Sequence, residues 1–162
     1  MTKYHIRRVE KEISEKQELI EILNNGKYTI ISMCKENEAY LVTLSYGYDK
    51  IKNSLYFHCA KEGQKIDFIK FNPNVCGTVI EDNGYEDGCG QAYRSVVFKG
   101  NMYIVEDIQE KKYGFSILIN HLEKDPEATI KKFLKNDEIY ENTGMLRLDL
   151  KEISGKEEKA NP

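Results

Sequence analysis

Residues 28–60, YTIISMCKENEAYLVTLSYGYDKIKNSLYFHCA, decide the fold of this chain. They read as three β-rich segments, 28–34, 39–48 and 54–60, parted only by the polar turns KENE and DKIKN. Turns this short join antiparallel neighbours. Side chains alternate along a strand, so Tyr40, Val42, Leu44, Tyr46 and Tyr48 share one face of the second segment, and Leu41, Thr43, Ser45 and Gly47 share the other. The small and hydroxylated residues of that second face leave room for something flat.

Upstream, Ser14 and Gln17 have the spacing of a capping box. Leu19, Ile20 and Leu23 then recur at helical intervals until Asn24, Asn25 and Gly26, which predicts a helix over 15–24. Downstream, GQKIDFIKFN (63–72) predicts a short helix stopped by Asn72 and Pro73. A strand follows over Val75–Glu81, then the loop DNGYEDGCG, which its three glycines mark as the most flexible part of the chain. Another strand is expected from Ala92 to Val105, bent at Gly100, then helices over 107–123 and from Pro126, capped by Asp125, to Lys135. In GMLRLDLKEI (144–153), Leu146, Leu148 and Leu150 alternate with Arg147, Asp149 and Lys151, the pattern of a strand with one buried face. The sum is an α+β protein, a six-stranded, mostly antiparallel sheet closing into a barrel with short flanking helices. It forms one domain over 1–162, with an N-terminal extension over 1–12 and a frayed tail over 154–162.

Composition narrows the function classes. The 162 residues are 40% hydrophobic and 31% charged, with 24 Lys and Arg against 27 Asp and Glu, a formal charge of -3. That balance, without a basic block, argues against a nucleic-acid partner. No apolar run approaches the ~18 residues of a membrane span, and the N-terminus lacks the apolar core of a signal peptide, so a cytoplasmic location is expected. Cys34, Cys59, Cys76 and Cys89 form no close pair, and His5, His58 and His121 form no H-E-x-x-H, so no metal site is expected.

Two constellations could carry chemistry. The first is the strand-to-helix junction from His58, Cys59 and Ala60 through Lys61 and Gly63 to Lys65. A glycine at a helix start lets backbone N–H groups approach an anion, and the two lysines add positive charge there, so a phosphate fits. The second is Tyr93-Arg94-Ser95, which combines a stacking ring, a planar fork of donors and a hydroxyl. Walker and Rossmann glycine patterns are absent, as is a G-x-S-x-G elbow.

The run YLVTLSYGYDKIKNSLYFHCAKEGQKIDFIKFNPNVC, followed by YRSVVFKGNMYIVED, resembles the flavin-binding proteins related to pyridoxamine 5'-phosphate oxidase, in particular the nitroimidazole-resistance (Nim-type) branch. The likeness spans roughly residues 5 to 155. It implies a split β-barrel homodimer with FMN at the subunit interface. Thr43, Leu44, Ser45 and Tyr46 resemble the segment lining the isoalloxazine ring. His58, Cys59 and Ala60 resemble the strand end beside the ring and ribityl chain, and Lys61, Gly63 and Lys65 the phosphate cradle. Tyr93, Arg94 and Ser95 resemble a second flavin-contacting segment, supplied by either subunit. Many relatives carry Pro in place of Thr43. The Arg-Leu-x-Pro ending of true pyridoxamine phosphate oxidases is missing, since Arg147-Leu148 runs into Asp149-Leu150.

The expected function is that of an FMN-dependent oxidoreductase passing electrons from a reduced nicotinamide to a small acceptor, such as a nitroaromatic compound. His58 is the candidate catalytic residue, because imidazole can give a proton near neutral pH. The alternatives are a non-enzymatic flavin or haem binding or sensing module, and a pyridoxamine 5'-phosphate oxidase-like activity. Tyr40, Tyr46 and Tyr48 are expected to serve the dimer interface.

Overall fold

The computed structural model describes residues 6–87 and 90–159. His5, Cys89 and the last three residues of the expected tail lie outside them. After a 3-10 turn at Val9–Lys11 come β1 (Glu12–Ile13), α1 (Lys16–Asn25), β2 (Tyr28–Lys35), β3 (Glu38–Ser45), β4 (Gly47–Asp49) and β5 (Ser54–Cys59). Then follow α2 (Gln64–Phe71), β6 (Asn74–Glu86), β7 (Gly90–Val105), α3 (Ile108–Leu122), α4 (Pro126–Phe133), α5 (Asp137–Asn142) and β8 (Gly144–Glu158). None of the described helices is long and apolar enough to cross a membrane.

All strand pairs are antiparallel, in the order β3-β2-β6-β7-β8-β5-β4, with β1 added beside β8. The two strands at the ends of this order, β3 and β4, are separated in sequence by Tyr46 alone. A sheet whose ends are one residue apart has to curl back on itself, which makes a split barrel. The expected six strands become eight because β1 is added and the segment 39–48 divides at Tyr46.

Tyr46 sits at that division, fully buried, its hydroxyl donating to the Leu23 carbonyl at 2.7 Å. The barrel interior packs Ile31, Phe57, Phe98, Met102, Leu146 and Leu148. Ile22 and Leu23 of α1 and Ile66, Phe68 and Ile69 of α2 join the same core. A second cluster, Tyr56, Val105, Phe115 and Met145, lies where α3 covers the outside of the barrel. Two glycines let α3 approach. A Cβ on Gly47 would lie 2.6 Å from the Leu118 Cα, and one on Gly114 2.7 Å from the Tyr56 ring. Buried Asp49 fastens the same contact, accepting from the Tyr113 hydroxyl at 2.7 Å and from the amides of Ile51 and Lys52.

Four expectations need correction. The capping box does not form. Glu15 is the N-cap of α1, its carbonyl taking the first intrahelical bonds, with no side-chain cap. The loop over 82–90 is mostly strand, because β6 runs to Glu86 and β7 resumes at Gly90. The irregularity is a bulge between Asp82 and Tyr85, where Gly84 adopts φ 100° and Asp82 accepts from the Gly84 amide and the Gln91 side chain. The tail stays paired through Glu158, because Ser154–Glu158 lie against Tyr93–Val97 of β7. Finally, Tyr46 and Tyr48 are buried inside the protomer and so cannot serve an interface, while Tyr40 is half-buried against Phe68.

His121 links α3 to the end of α1. Its Nε2 lies 2.6 Å from the Gly26 carbonyl, which can only accept, so the imidazole donates. Its ring packs 5.1 Å from that of Tyr46. Burial holds the His121 pKa below the ordinary 6.5. As pH falls below 6.5 the unfolded chain takes up a proton that the folded chain resists, so this part of the stability is complete above 6.5 and is lost on acidification. Melting temperatures at pH 7.5 and 5.5 should therefore differ more for the parent protein than for His121→Gln. An equal drop in both would show that the imidazole contributes nothing to the acid response.

Candidate functional site

Gly47, Tyr48 and Asp49 pair with Tyr56, Leu55 and Ser54. Extending that register would set Ser45 opposite His58 and Thr43 opposite Ala60. Instead β3 turns away to pair with β2, while β5 continues along β8. The facing edges of β3 and the end of β5 thus diverge, leaving backbone donors and acceptors along a split. Thr43 and Ser45 are exposed on its outer face, as the alternation of β3 demands. His58 is exposed on the same outer face, its ring stacked on Phe115 of α3 at 6.4 Å and 26°.

The groove ends at α2. Gly63, at φ 122°, is its N-cap and offers no side chain, so the amides of Gln64 and Lys65, ahead of the first intrahelical bonds, are the donors there. A Cβ on Gly63 would touch nothing within 4 Å, so the positive φ, not crowding, is what asks for glycine. Gln64 Nε2 reaches Glu38 Oε1 at 3.4 Å, joining the start of α2 to the start of β3. Thr43, Ser45, His58, Ala60 and Gly63 are exposed and Lys65 half-buried, on either side of this divergence.

Other sequence candidates point elsewhere. The side chain of Leu44 turns toward the barrel interior and that of Tyr46 is fully committed there, with burial pushing its phenol well above the ordinary range. Cys59 alternates with His58 and faces a cleft at the end of the barrel, where burial pushes its thiol up. Lys61 borders the same cleft and donates to the Glu141 carbonyl at 3.1 Å.

The segment 93–95 divides between two faces. Tyr93 and Ser95 line a shallow outer depression of about 350 Å³ with Thr78, Ile80 and Gln91. Arg94 faces the other way, paired with Glu81 at 3.1 Å and Glu21 of α1 at 3.4 Å, which makes its guanidinium a tie between α1 and the sheet. Across the sheet, Thr43 registers through Ile30 and Thr78 with Val97, two residues from Ser95, so three strand spacings of ~4.8 Å part the segment from β3. Tyr93 pairs with Glu158 and His58 with Met145, positions separated along β8 by roughly 40 Å of contour at ~3.3 Å per residue.

Phe115 and Lys111 went unnoticed in the sequence. The spacing of Lys111, Gly114, Phe115 and Leu118 on one face of α3 was the available signal, since it sets a lysine on the face that packs against the barrel.

A family model described as pyridoxamine 5'-phosphate oxidase matches residues 15–157. No curated protein is significantly similar to the chain. Among solved structures, a candidate 5-nitroimidazole antibiotic resistance protein from Bacteroides thetaiotaomicron is similar at a TM-score of 0.77 and 23% identity, covering 96% of this chain and 95% of that one. The flavocytochrome Anf3 from Azotobacter vinelandii reaches 0.83 at 15% identity over 98% of this chain and 74% of its own. The FAD and heme binding protein from Mycobacterium smegmatis reaches 0.79 at 14% identity over 94% and 75%. At such identities the shared property is the split-barrel fold.

Proposed function

The chain belongs to the pyridoxamine 5'-phosphate oxidase family, and on that premise we propose that it binds FMN in the split between β3 and β5 and serves as an oxidoreductase between a reduced nicotinamide and a small acceptor, a nitroaromatic compound being the class to try first. The observation that carries this reading is the exposed His58 on the outer side where β3 and β5 part, with Thr43 and Ser45 exposed on β3 and the N-terminus of α2 following β5. The names of the similar structures speak of flavin, haem and nitroimidazole resistance and support the choice of ligand class and acceptor.

A bound flavin supplies the hydride and electron transfer. The Gln64 and Lys65 amides, the α2 dipole and the Lys65 ammonium suit one phosphate group. Thr43 and Ser45 present hydroxyls beside the diverging strand edges, where ring heteroatoms can find donors and acceptors. His58, held flat by Phe115, keeps an imidazole at the open side and can give a proton to a reduced acceptor. Pyridoxamine 5'-phosphate oxidation fits less well, because Arg147 is held by Glu110 and Asp149 rather than available to a substrate.

A homodimer completes the proposal. Tyr28, Leu41, Ile80 and Val97 are 64%, 61%, 55% and 43% exposed and stand on one outer face of β2, β3, β6 and β7, among Thr and Ser side chains, a surface that a second copy would cover. Tyr93 and Ser95 lie on that same face, so either protomer could bring them to a flavin seated there.

Four outcomes are expected. The purified protein should absorb at ~450 nm, and Lys65→Ala should weaken FMN by about 1.5–3 kcal/mol, the range for hydrogen bonds to charged groups. Equal affinity for riboflavin and FMN would remove the phosphate site, tighter binding of FAD would replace the cofactor, and a haem spectrum would favour the binding-module alternative. Light scattering should give about twice the chain mass of 18.8 kDa, whereas the monomer mass would refute the dimer. His58→Ala should lower turnover per bound flavin about a hundredfold with the flavin retained. A variant that turns over normally but melts earlier would make His58 structural.

A further inference from the structure

We propose that the cleft at the end of the barrel is a second ligand site, distinct from the flavin groove, that takes a small organic anion with an apolar body. The cleft holds about 420 Å³, within the range of small-molecule sites. It opens where β5 and β7 finish and β8 begins, with α2, α3 and the end of α5 around it. Three lysines from three different elements border it: Lys61 after β5, Lys70 on α2 and Lys111 on α3.

Lys111 is the decisive residue. It is only 8% exposed, and buried ammonium groups are normally paired with a negative charge. Its Nζ donates to the carbonyls of Tyr140 and Thr143, both at 3.0 Å, which uses two of its three N–H groups and anchors α5. Among the described residues no carboxylate forms an ion pair with it. Anchoring α5 needs only donors, which a neutral side chain could supply. A positive charge with an N–H to spare, on the wall of an open cleft, calls for an anion.

The cleft's own carboxylates do not fill this role. Glu106 and Glu141 also border it but are exposed, and the lysines outnumber them. The floor is apolar, made by Ile66, Ile104 and Met145, so a hydrated inorganic ion would leave most of the space unused. A carboxylate or phosphate head on the lysines with a ring or short chain over that floor matches both halves.

At the end of β5 the cleft and the surface beside His58 lie on opposite sides of the strand, because Cys59 turns to the cleft while His58 stands on Phe115. Methyl NMR of the purified full-length protein reads it directly, since Met145 lines the floor and its signal can be assigned from Met145→Leu. Benzoate should shift that signal with saturation, benzamide should not, and the absorbance of bound flavin should stay unchanged. Lys111→Met should weaken benzoate about tenfold or more, as loss of a charged hydrogen-bonding partner does. If that variant fails to fold, Lys70→Ala, which touches an exposed side chain, should still weaken benzoate several-fold. An equal response to benzamide, no response to either probe, an altered flavin spectrum, or full benzoate affinity in Lys70→Ala and in any folded Lys111→Met would each overturn the proposal.

Discussion

The shape of this protein depends on one covalent constraint, the single residue between β3 and β4. Without Tyr46 as a hinge the eight strands could lie as an open sheet with two exposed edges, a recognised hazard for aggregation. With it, the sheet must return on itself, and the only question is how tightly. The answer comes from burial of the hinge. The Tyr46 ring fills the interior and its hydroxyl satisfies the Leu23 carbonyl at the end of α1. The closure is incomplete because β3 follows β2 and diverges from β5, so its second edge stays unpaired along the gap proposed for the cofactor.

The covering of the barrel follows from the same closure. Its interior takes one set of side chains, and α1 and α2 add theirs at the margins of that core. The outer face next to the hinge is claimed by α3, through Gly47, Gly114 and the Asp49 contact with Tyr113. α3 stops short of Thr43 and Ser45, which stay exposed, and its Phe115 supports His58. One helix thus serves both the packing and the placing of His58, since the Phe115 ring that belongs to the second core cluster also stacks on the imidazole.

Much of this was legible in the sequence because it rests on local patterns. Alternation in 39–48 and 144–153, the Asp125-Pro126 start of α4 and the Gly63 start of α2 are each decided within a few residues. What escaped needed knowledge of partners. The segment 154–158 reads as polar and frayed, yet it is held by β7, with β1 paired to its Gly155 and Lys156. Arg94 reads as a ligand donor, but its partner Glu21 lies 73 residues away on another element. Among the site residues, Thr43, Ser45 and His58 could be placed because strand parity fixes their side. For Tyr93 and Ser95 parity gives a face but not a neighbour, and their distance from His58 depends on how β7 and β8 run the length of the barrel.

β8 has a consequence for the order of events during synthesis. It is the partner of β5 at one end and of β7 along its length, and it carries β1 as well. The hydrophobic residues Leu55 and Phe57 of β5 thus wait for a strand that begins 85 residues after Cys59. At ~5–20 residues per second on a ribosome, that interval lasts on the order of 4 to 17 seconds. During it the β2–β3 and β6–β7 hairpins can form from sequence-local contacts, but the barrel cannot close. Nascent chains stalled before residue 144 should therefore be clients for holding chaperones, with β5 as the sequence those chaperones grip.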